Sequence, residues 1–199
     1  RFGSQVYLIE AQHGIMPNED RDAAEVVEQQ MLRDGVKLLC CGKDLKVQKT
    51  DAGKRLTVDS HGQQYDVTVD EILVGVGRTP NVEGIGLEAV GVEYDKYGVK
   101  VNAQLQTTNP RIFAAGDICS RYKFTHAADA MAQIVIQNAL FPHPFGLGYA
   151  SVESLIMPWC TFTEPEVAHV GMYEKDAKDR GIEVETYTYK LDEVDRAIL

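Results

Sequence analysis

The sequence has few cysteines, and none of them has the spacing of a redox pair or of half a zinc site. The four cysteines stand at positions 40, 41, 119 and 160, whereas both kinds of site expect C-x-x-C. The adjacent Cys40 and Cys41 could form a strained disulfide or bind a thiophilic metal ion. Because they follow the apolar residues 36–39, we interpret them as small hydrophobic residues of a buried strand. We interpret Cys119 and Cys160 in the same way and predict no metal site.

Long apolar runs and basic clusters are also missing. No apolar run approaches the roughly 18 residues of a membrane span, and the first residues do not resemble a signal peptide, so we expect a soluble, cytoplasmic protein without a membrane partner. The formal charge of −10 argues against a nucleic-acid partner, because phosphate repels an acidic protein. The basic residues within 43–55 are interspersed with Asp44 and Asp51, which is typical of a solvated hairpin.

The beginning of the chain predicts a strand, a helix and a second strand. Residues 5–10 form a short β-rich run, VYLIE after Gln5, that ends in an acid as a central parallel strand does. Residues 18–34 begin with acids, which the positive end of a helix dipole favours. The predicted helix has one apolar face, formed by Ala24, Val27 and Met31. Gly35 stands where a C-cap belongs, and residues 36–40 predict the second strand.

A meander and a further strand are predicted next. Three segments alternate in hydrophobicity or are β-branched, at 45–50, 55–60 and 64–68. Turn formers such as Gly53 and Gly62 separate them, so they predict a small antiparallel meander. The apolar segment DEILVGVG, residues 70–77, predicts a closing strand. This order of elements fits an α/β nucleotide-binding domain with an antiparallel insertion, to which we assign residues 1–78.

Residues 79–148 predict a second unit. Short strands are expected at 99–101 and 111–115, and a helix at 125–140. The helix is expected to bury a stripe formed by Ala128, Met131, Ala132, Val135 and Ile136. Two prolines after residue 140 end this helix.

Residues 149–199 predict a third unit. A strand is expected at 159–163, a helix at 173–180 and a second strand at 183–189. Together the three units indicate an α/β fold.

The first candidate site residue is Glu10, which ends the opening strand. In a dinucleotide-binding fold an acid at this position accepts hydrogen bonds from the ribose hydroxyls and repels a 2′-phosphate. It therefore predicts NAD(H) rather than NADP(H). The alternative is an acid that only ends a strand.

The second candidate is the segment GVGRTPN, residues 75–81. A glycine at the end of a strand lets the backbone approach a ligand, because no Cβ intervenes. Gly77 is the residue that we expect to lie against the dinucleotide. The alternative is a turn between domains.

The third candidate is TNPRIFAAGDIC, which ends at Cys119, together with the helix after it. Gly116 allows close approach, and the carboxylate of Asp117 can accept a hydrogen bond from a ribityl hydroxyl. The helix begins at about Thr125, so its unpaired backbone N–H groups and positive dipole end can face a flavin pyrimidine edge. His126 could be a catalytic base, but its place in the first turn favours a backbone role.

These motifs occur in the order and at the spacing of a known family. The segments VYLIE, DEILVGVGRTPN, TTNPRIFAAGDIC and THAADAMAQ resemble the pyridine nucleotide-disulfide oxidoreductases, and most closely the mercuric-reductase-like subgroup. The final segment, PWCTFTEPEVAHVGMYEKDA, is similar to the start of that family's interface domain. The resemblance covers the entire chain. It implies a partial Rossmann-type nucleotide-binding domain (1–78), the C-terminal part of an FAD-binding domain (79–148) and the start of an α+β dimerisation domain (149–199).

The resemblance also implies cofactors and partners. The cofactors would be FAD and NAD, with NADH preferred over NADPH, and the protein would be a homodimer with an electron acceptor that the sequence leaves open. The positions that match the family's binding residues are Glu10 and Gly77 for NAD, Gly116 and Asp117 for the ribityl side of the flavin, and Lys123, Phe124, Thr125 and His126 for the flavin ring.

The sequence lacks several motifs that the family contains. The N-terminal FAD glycine motif, the C-x₄-C disulfide, the second G-x-G-x-x-G and the C-terminal His-Glu pair do not occur in it. We therefore expect a piece of a longer FAD-dependent oxidoreductase, with no catalytic residue in this chain and no activity by itself. The alternative is a non-catalytic nucleotide-binding or dimerisation module of this length.

Overall fold

The computed structural model describes residues 3–194 and divides the chain into two compact units. The first unit consists of Arg1–Cys41 together with Cys160–Leu199, and the second of Gly42–Trp159. Among the described residues, no helix is both long and apolar enough to cross a membrane.

The first unit opens with two parallel strands joined by a helix. Strand β1, Tyr7–Ile9, pairs in parallel with β2, Lys37–Leu39, and helix α1 spans Arg21–Arg33 between them. This arrangement confirms the predicted strand–helix–strand unit and its parallel pairing. Parallel strands need such a crossover because a tight turn can join only antiparallel neighbours.

Helix α1 has the face and the ending that its sequence predicts. Ala24 and Val27 are fully buried, while Met31 is partly buried. Gly35 adopts a φ of +83°, and its N–H donates to the carbonyl of Leu32 at 3.0 Å. A glycine reaches this left-handed conformation without steric cost, so it ends the helix as a C-terminal glycine commonly does.

The second unit begins with the predicted meander. Strands β3 (Lys43–Thr50), β4 (Gly53–Ser60) and β5 (Gln63–Val69) form an antiparallel sheet in that order. Leu56 and Val58 on the central strand are buried. All residues of β3 are exposed, which agrees with its high lysine content.

The strand predicted at 70–77 is wrong for this structure. No strand is assigned within it, and three of its apolar side chains are exposed, with Leu73 98%, Val74 71% and Val76 91% accessible. An apolar, β-branched segment becomes a strand only where a neighbour completes its backbone hydrogen bonds. None of residues 3–194 pairs with it.

The rest of the second unit packs around two small apolar clusters. Strands β6 (Tyr94–Asp95) and β7 (Gly98–Val99) pair antiparallel. The first cluster contains Val82, Val92 and Val99, and the second contains Leu105, Met131 and Ile134. The strands predicted at 99–101 and 111–115 are only partly formed. β7 ends at Val99, and Val101 forms an isolated bridge with Thr107, while 111–115 contributes the isolated bridge from Phe113 to Gln106.

Helix α2 spans Thr125–Leu140, as predicted, but it buries a different face. Its buried residues are Ala127, Met131, Ile134 and Asn138. Of the predicted stripe only Met131 is buried, and Ile136 is 51% exposed. Asn138 is buried because its side chain donates to the carbonyls of Gln104 and Ala150, at 3.1 and 2.9 Å. Hydrophobicity alone does not predict such a polar anchor.

The last elements are β8 (Pro158–Thr161), β9 (Val167–Val170) and helix α3 (Glu174–Asp179). The two strands form a two-stranded sheet. The predicted strand near 159–163 and helix near 173–180 are therefore confirmed. The strand predicted at 183–189 is wrong, since these residues are exposed and have no strand assignment.

Candidate functional site

The candidate site of the second unit is built on the tight turn before α2. Gly116 opens a short 3-10 helix, Gly116–Ile118, and is buried with a φ of +79°. A Cβ at this position would lie 3.0 Å from the Cβ of Ala128. Gly116 therefore lies in close contact with helix α2, which sets the turn against the start of that helix.

Two cationic side chains, Arg78 and Lys123, lie at the turn that carries Asp117. Nη1 of Arg78 lies 4.0 Å from Oδ2 of Asp117 and donates to the carbonyl of Lys123 at 3.0 Å. Nζ of Lys123 donates to the carbonyls of Asp117 and Ser120, at 2.8 and 3.1 Å. The two cations bind the backbone of the turn, and the Asp117 carboxylate remains exposed beside them.

Arg78 is a site residue that the sequence analysis did not single out. It follows Gly77 directly in GVGRTPN, so the motif contained the signal. Gly77 is exposed, has a φ of +110°, and no described atom lies within 4 Å of its notional Cβ. This conformation needs a glycine, and it brings the motif's arginine to the turn around Asp117.

Aromatic rings pack beside the first turn of α2. The ring of Phe124 stacks on that of His126 with 5.3 Å between centroids and 6° between planes, and on Trp159 at 6.3 Å and 16°. Nε2 of His126 lies 2.7 Å from the carbonyl oxygen of Pro158. The His126 side chain thus holds a neighbouring segment, which supports a positioning role over that of a base. Trp159, the single tryptophan of the sequence, was not predicted here.

The first turn of α2 has unsatisfied donors. Phe124 occupies the N-cap position, and no side chain of the described residues caps the helix by a hydrogen bond. Thr125 and His126, in the first turn, are exposed. The free N–H groups and the positive end of the helix dipole therefore favour a ligand that carries acceptor atoms or negative charge.

Glu10 lies in the first unit, directly after β1. Its N–H donates to the carbonyl of Leu39 at 3.1 Å, which continues the pairing of β1 with β2. Oε1 of its carboxylate accepts the N–H of Gln12 at 2.9 Å. This hydrogen bond holds the carboxylate at the carboxyl end of the parallel pair, where dinucleotide folds bind ribose.

The four cysteines form no disulfide in the described part of the chain. Burial raises the pKa of Cys119 to about 11, and burial is also the largest cause of the raised pKa of Cys40. Cys119 therefore fits the interpretation as a small hydrophobic residue. Cys40 and Cys41 do not lie in a buried strand as predicted, because β2 ends at Leu39 and both are partly buried residues of the turn after it. Cys41 has a φ of +55°, and its Sγ lies 3.0 Å from Nδ1 of His13.

Comparison with known proteins gives one consistent result. Residues 1–132 match the family model described as pyridine nucleotide-disulphide oxidoreductase, and residues 157–199 match the dimerisation domain of the same family. The chain is 33% identical to a mercuric reductase of Staphylococcus aureus over all of its 199 residues, which are 36% of that protein. It is 31% identical to a dihydrolipoyl dehydrogenase of Thermus scotoductus, covering 42% of it.

Two solved structures are similar to this chain in fold. The HOCl-induced flavoprotein disulfide reductase RclA of Escherichia coli superimposes with a TM-score of 0.78 at 28% identity, over 98% of this chain and 43% of that one. LpdA of Mycobacterium tuberculosis gives a TM-score of 0.80 at 27% identity, over 98% and 41%. The chain thus spans less than half the length of each of these relatives.

Proposed function

This chain belongs to the pyridine nucleotide-disulphide oxidoreductase family, and on that premise we propose that it forms part of an FAD-dependent NAD(P)H oxidoreductase. When bound, FAD would supply the chemistry of accepting a hydride from the nicotinamide and passing two electrons to a disulfide, a metal ion or another acceptor. The observation that carries the proposal is the site at the start of α2, where an exposed carboxylate, two cations and an uncapped helix N-terminus lie together.

The residues of this site fit a flavin. The carboxylate of Asp117 is exposed and can accept a hydrogen bond from a ribityl hydroxyl. The backbone N–H groups of Thr125 and His126 can donate to acceptor atoms of the pyrimidine edge, where the helix dipole also stabilises negative charge. Lys123 and Phe124, on the same turn, would line the ring. Gly116 keeps the turn close enough to α2 for these groups to share one side.

The carboxyl end of the parallel pair fits the adenosine half of NADH. The carboxylate of Glu10 would accept the ribose hydroxyls and repel a 2′-phosphate, and the next residues, Ala11, Gln12 and His13, include no arginine to pair with that phosphate. Gly77 would lie against the dinucleotide. We therefore propose that NADH is preferred over NADPH.

The remaining parts of the proposal concern assembly. The match of residues 157–199 to the family's dimerisation domain supports a homodimer. We propose domain boundaries at 1–78, 79–148 and 149–199 and a cytoplasmic location. Turnover would require the redox cysteines and the His-Glu pair, which this sequence does not contain, so we propose that residues 1–199 by themselves are inactive.

The flavin site is tested by removing the Asp117 carboxylate. In the full-length protein that carries this sequence, we expect Asp117→Ala to weaken FAD binding by about tenfold or more, because hydrogen bonds to charged groups contribute about 1.5–3 kcal/mol. The matched control is Asp129→Ala, which removes an exposed carboxylate of α2 that accepts only from Gln133 among the hydrogen bonds described. Equal flavin retention in the two variants would contradict the site.

The nucleotide preference is tested separately. We expect the same protein to have a higher kcat/KM for NADH than for NADPH, and Glu10→Ala to reduce that ratio by up to about 10². The matched control is Glu25→Ala, on an exposed position of α1. A wild-type preference for NADPH, or an unchanged ratio in the Glu10 variant, would show that Glu10 does not bind the ribose.

A further inference from the structure

A thiol and an imidazole meet at the carboxyl end of the parallel pair. Sγ of Cys41 lies 3.0 Å from Nδ1 of His13, although the two residues are far apart in sequence. The backbone holds them in place, because the N–H of Cys41 donates to the carbonyl of Gln12 at 3.0 Å. Cys41 adopts a φ of +55°, a left-handed conformation that is uncommon for a residue with a side chain.

The environment of this pair suits a reactive thiol. The thiolate is the nucleophilic form of cysteine, and a neighbouring imidazole that takes the thiol proton increases its population. With the ring proton on Nε2, Nδ1 of His13 can accept that proton. His13 is exposed and Cys41 partly so, which allows a small reagent to reach the sulfur.

The neighbouring cysteine provides an internal contrast. Cys40 is adjacent in sequence and similarly accessible, but burial raises the pKa of its thiol. The nearby carboxylates of Glu28 and Glu10 raise it further. Cys40 is therefore expected to remain a protonated thiol at neutral pH, so that the adjacent cysteines differ in reactivity.

We propose that Cys41, activated by His13, is a site of thiol–disulfide exchange with small disulfides. In this step the thiol proton passes to Nδ1 of His13, and the sulfur of Cys41 attacks one sulfur of the reagent. A disulfide bond forms between Cys41 and that half of the reagent, and the reagent's own S–S bond breaks. The other half leaves as a thiolate and takes the proton from the imidazolium.

The position of the pair couples this modification to the nucleotide. The N–H of Cys41 donates a hydrogen bond to the carbonyl of Gln12, and the N–H of Gln12 donates to the carboxylate of Glu10. This part of the inference rests on the proposed role of Glu10 in binding the ribose of NADH. A mixed disulfide on Cys41 would then displace the loop that holds the carboxylate, and bound NADH would shield the thiol.

The test uses dithiodipyridine, a neutral disulfide, with the full-length protein that carries this sequence. Rates of modification are measured by quenching and peptide mass spectrometry in two variants. Cys40→Ser retains Cys41 of the two adjacent cysteines, and Cys41→Ser retains Cys40. We expect Cys41 to react at least about tenfold faster than Cys40. His13→Ala should slow Cys41 by about tenfold, a modest effect for a positioned base because the pair is exposed.

The matched control is His61→Ala, which removes an exposed histidine of the meander and should leave the rate at Cys41 unchanged. Equal rates at Cys40 and Cys41, or no effect of His13→Ala in a variant whose circular dichroism is unchanged, would overturn the proposal. Saturating NAD⁺, which would occupy the same site without reducing the enzyme or the probe, should slow the reaction of Cys41 by about tenfold or more. Fast, His13-dependent reaction without protection by NAD⁺ would leave the thiol–imidazole pair standing and overturn the coupling to Glu10.

Discussion

Replacing Gly98 should disrupt the packing behind the proposed flavin site. Gly98 is buried in β7 with a φ of +131°, and a Cβ there would lie 2.2 Å from the carbonyl oxygen of Ile118. That oxygen belongs to the backbone of the turn Gly116–Ile118, so it cannot rotate away as a side chain could. In Gly98→Ala either β7 or the turn must move by about 1 Å.

Two terms set the size of this effect. An alanine in a left-handed conformation costs about 1–2 kcal/mol, and inserting a methyl group into a packed region costs about 1–3 kcal/mol more. We expect Gly98→Ala to lower the free energy of unfolding by about 2–5 kcal/mol, a large part of the roughly 5–15 kcal/mol of a typical domain. Because the turn carries Asp117, flavin binding should weaken as well.

The matched control separates strain from collision. Gly91 has a φ of +70°, and no described atom lies within 4 Å of its notional Cβ, so Gly91→Ala should cost only the left-handed strain of about 1–2 kcal/mol. Both variants are measured by urea denaturation of the full-length protein, with flavin absorbance as a second readout. Equal losses of stability in the two variants would refute the close approach of β7 to the turn.

Three further predictions concern the same unit. Gly116→Ala should lower the free energy of unfolding by about 1–3 kcal/mol, because its Cβ would lie 3.0 Å from that of Ala128; a urea midpoint equal to that of the wild type would contradict this. His126→Ala should cost about 1 kcal/mol in the same assay, from the lost hydrogen bond to Pro158, and an unchanged midpoint would show that this contact is not stabilising. Burial raises the pKa of Cys119 from 9.0 to about 11. The neutral thiol therefore stabilises the fold below about pH 9, by an amount on the order of 1 kcal/mol after screening. This stabilisation is lost as the pH rises through about 11. Cys119→Ser should flatten that part of the pH profile of stability, and an unaltered profile would refute the burial argument.

Sequence and structure agree where the signal is local. The bounds of α2 and the strand–helix–strand order of β1, α1 and β2 follow from hydrophobic periodicity, and the left-handed Gly35 ends α1 as predicted. The meander is likewise marked by turn residues such as Gly53 and Gly62. Each of these elements is specified by residues within or directly beside it, so a single sequence is sufficient to predict it.

Sequence and structure differ where a distant partner decides. The segments 70–77 and 183–189 have the composition of strands, but no described strand lies beside them to complete their hydrogen bonds. The buried face of α2 differs from the apolar stripe because Asn138 binds backbone carbonyls there. The carbonyl partners of Asn138 lie 34 and 12 residues away in the sequence, so the local composition of α2 carries no record of them.

The sequence by itself therefore determined the first strand–helix–strand unit, the meander, helix α2 and the motif that contains Gly116 and Asp117. Only the tertiary structure brought Arg78 and Trp159 to that motif, at distances set by chain folding. It likewise placed His13 against Cys41, in a turn where the sequence predicted a buried strand residue. The physical reason is the same in each case: hydrophobic pattern and capping act over a few residues, whereas a site is formed by side chains that meet only after the chain has folded.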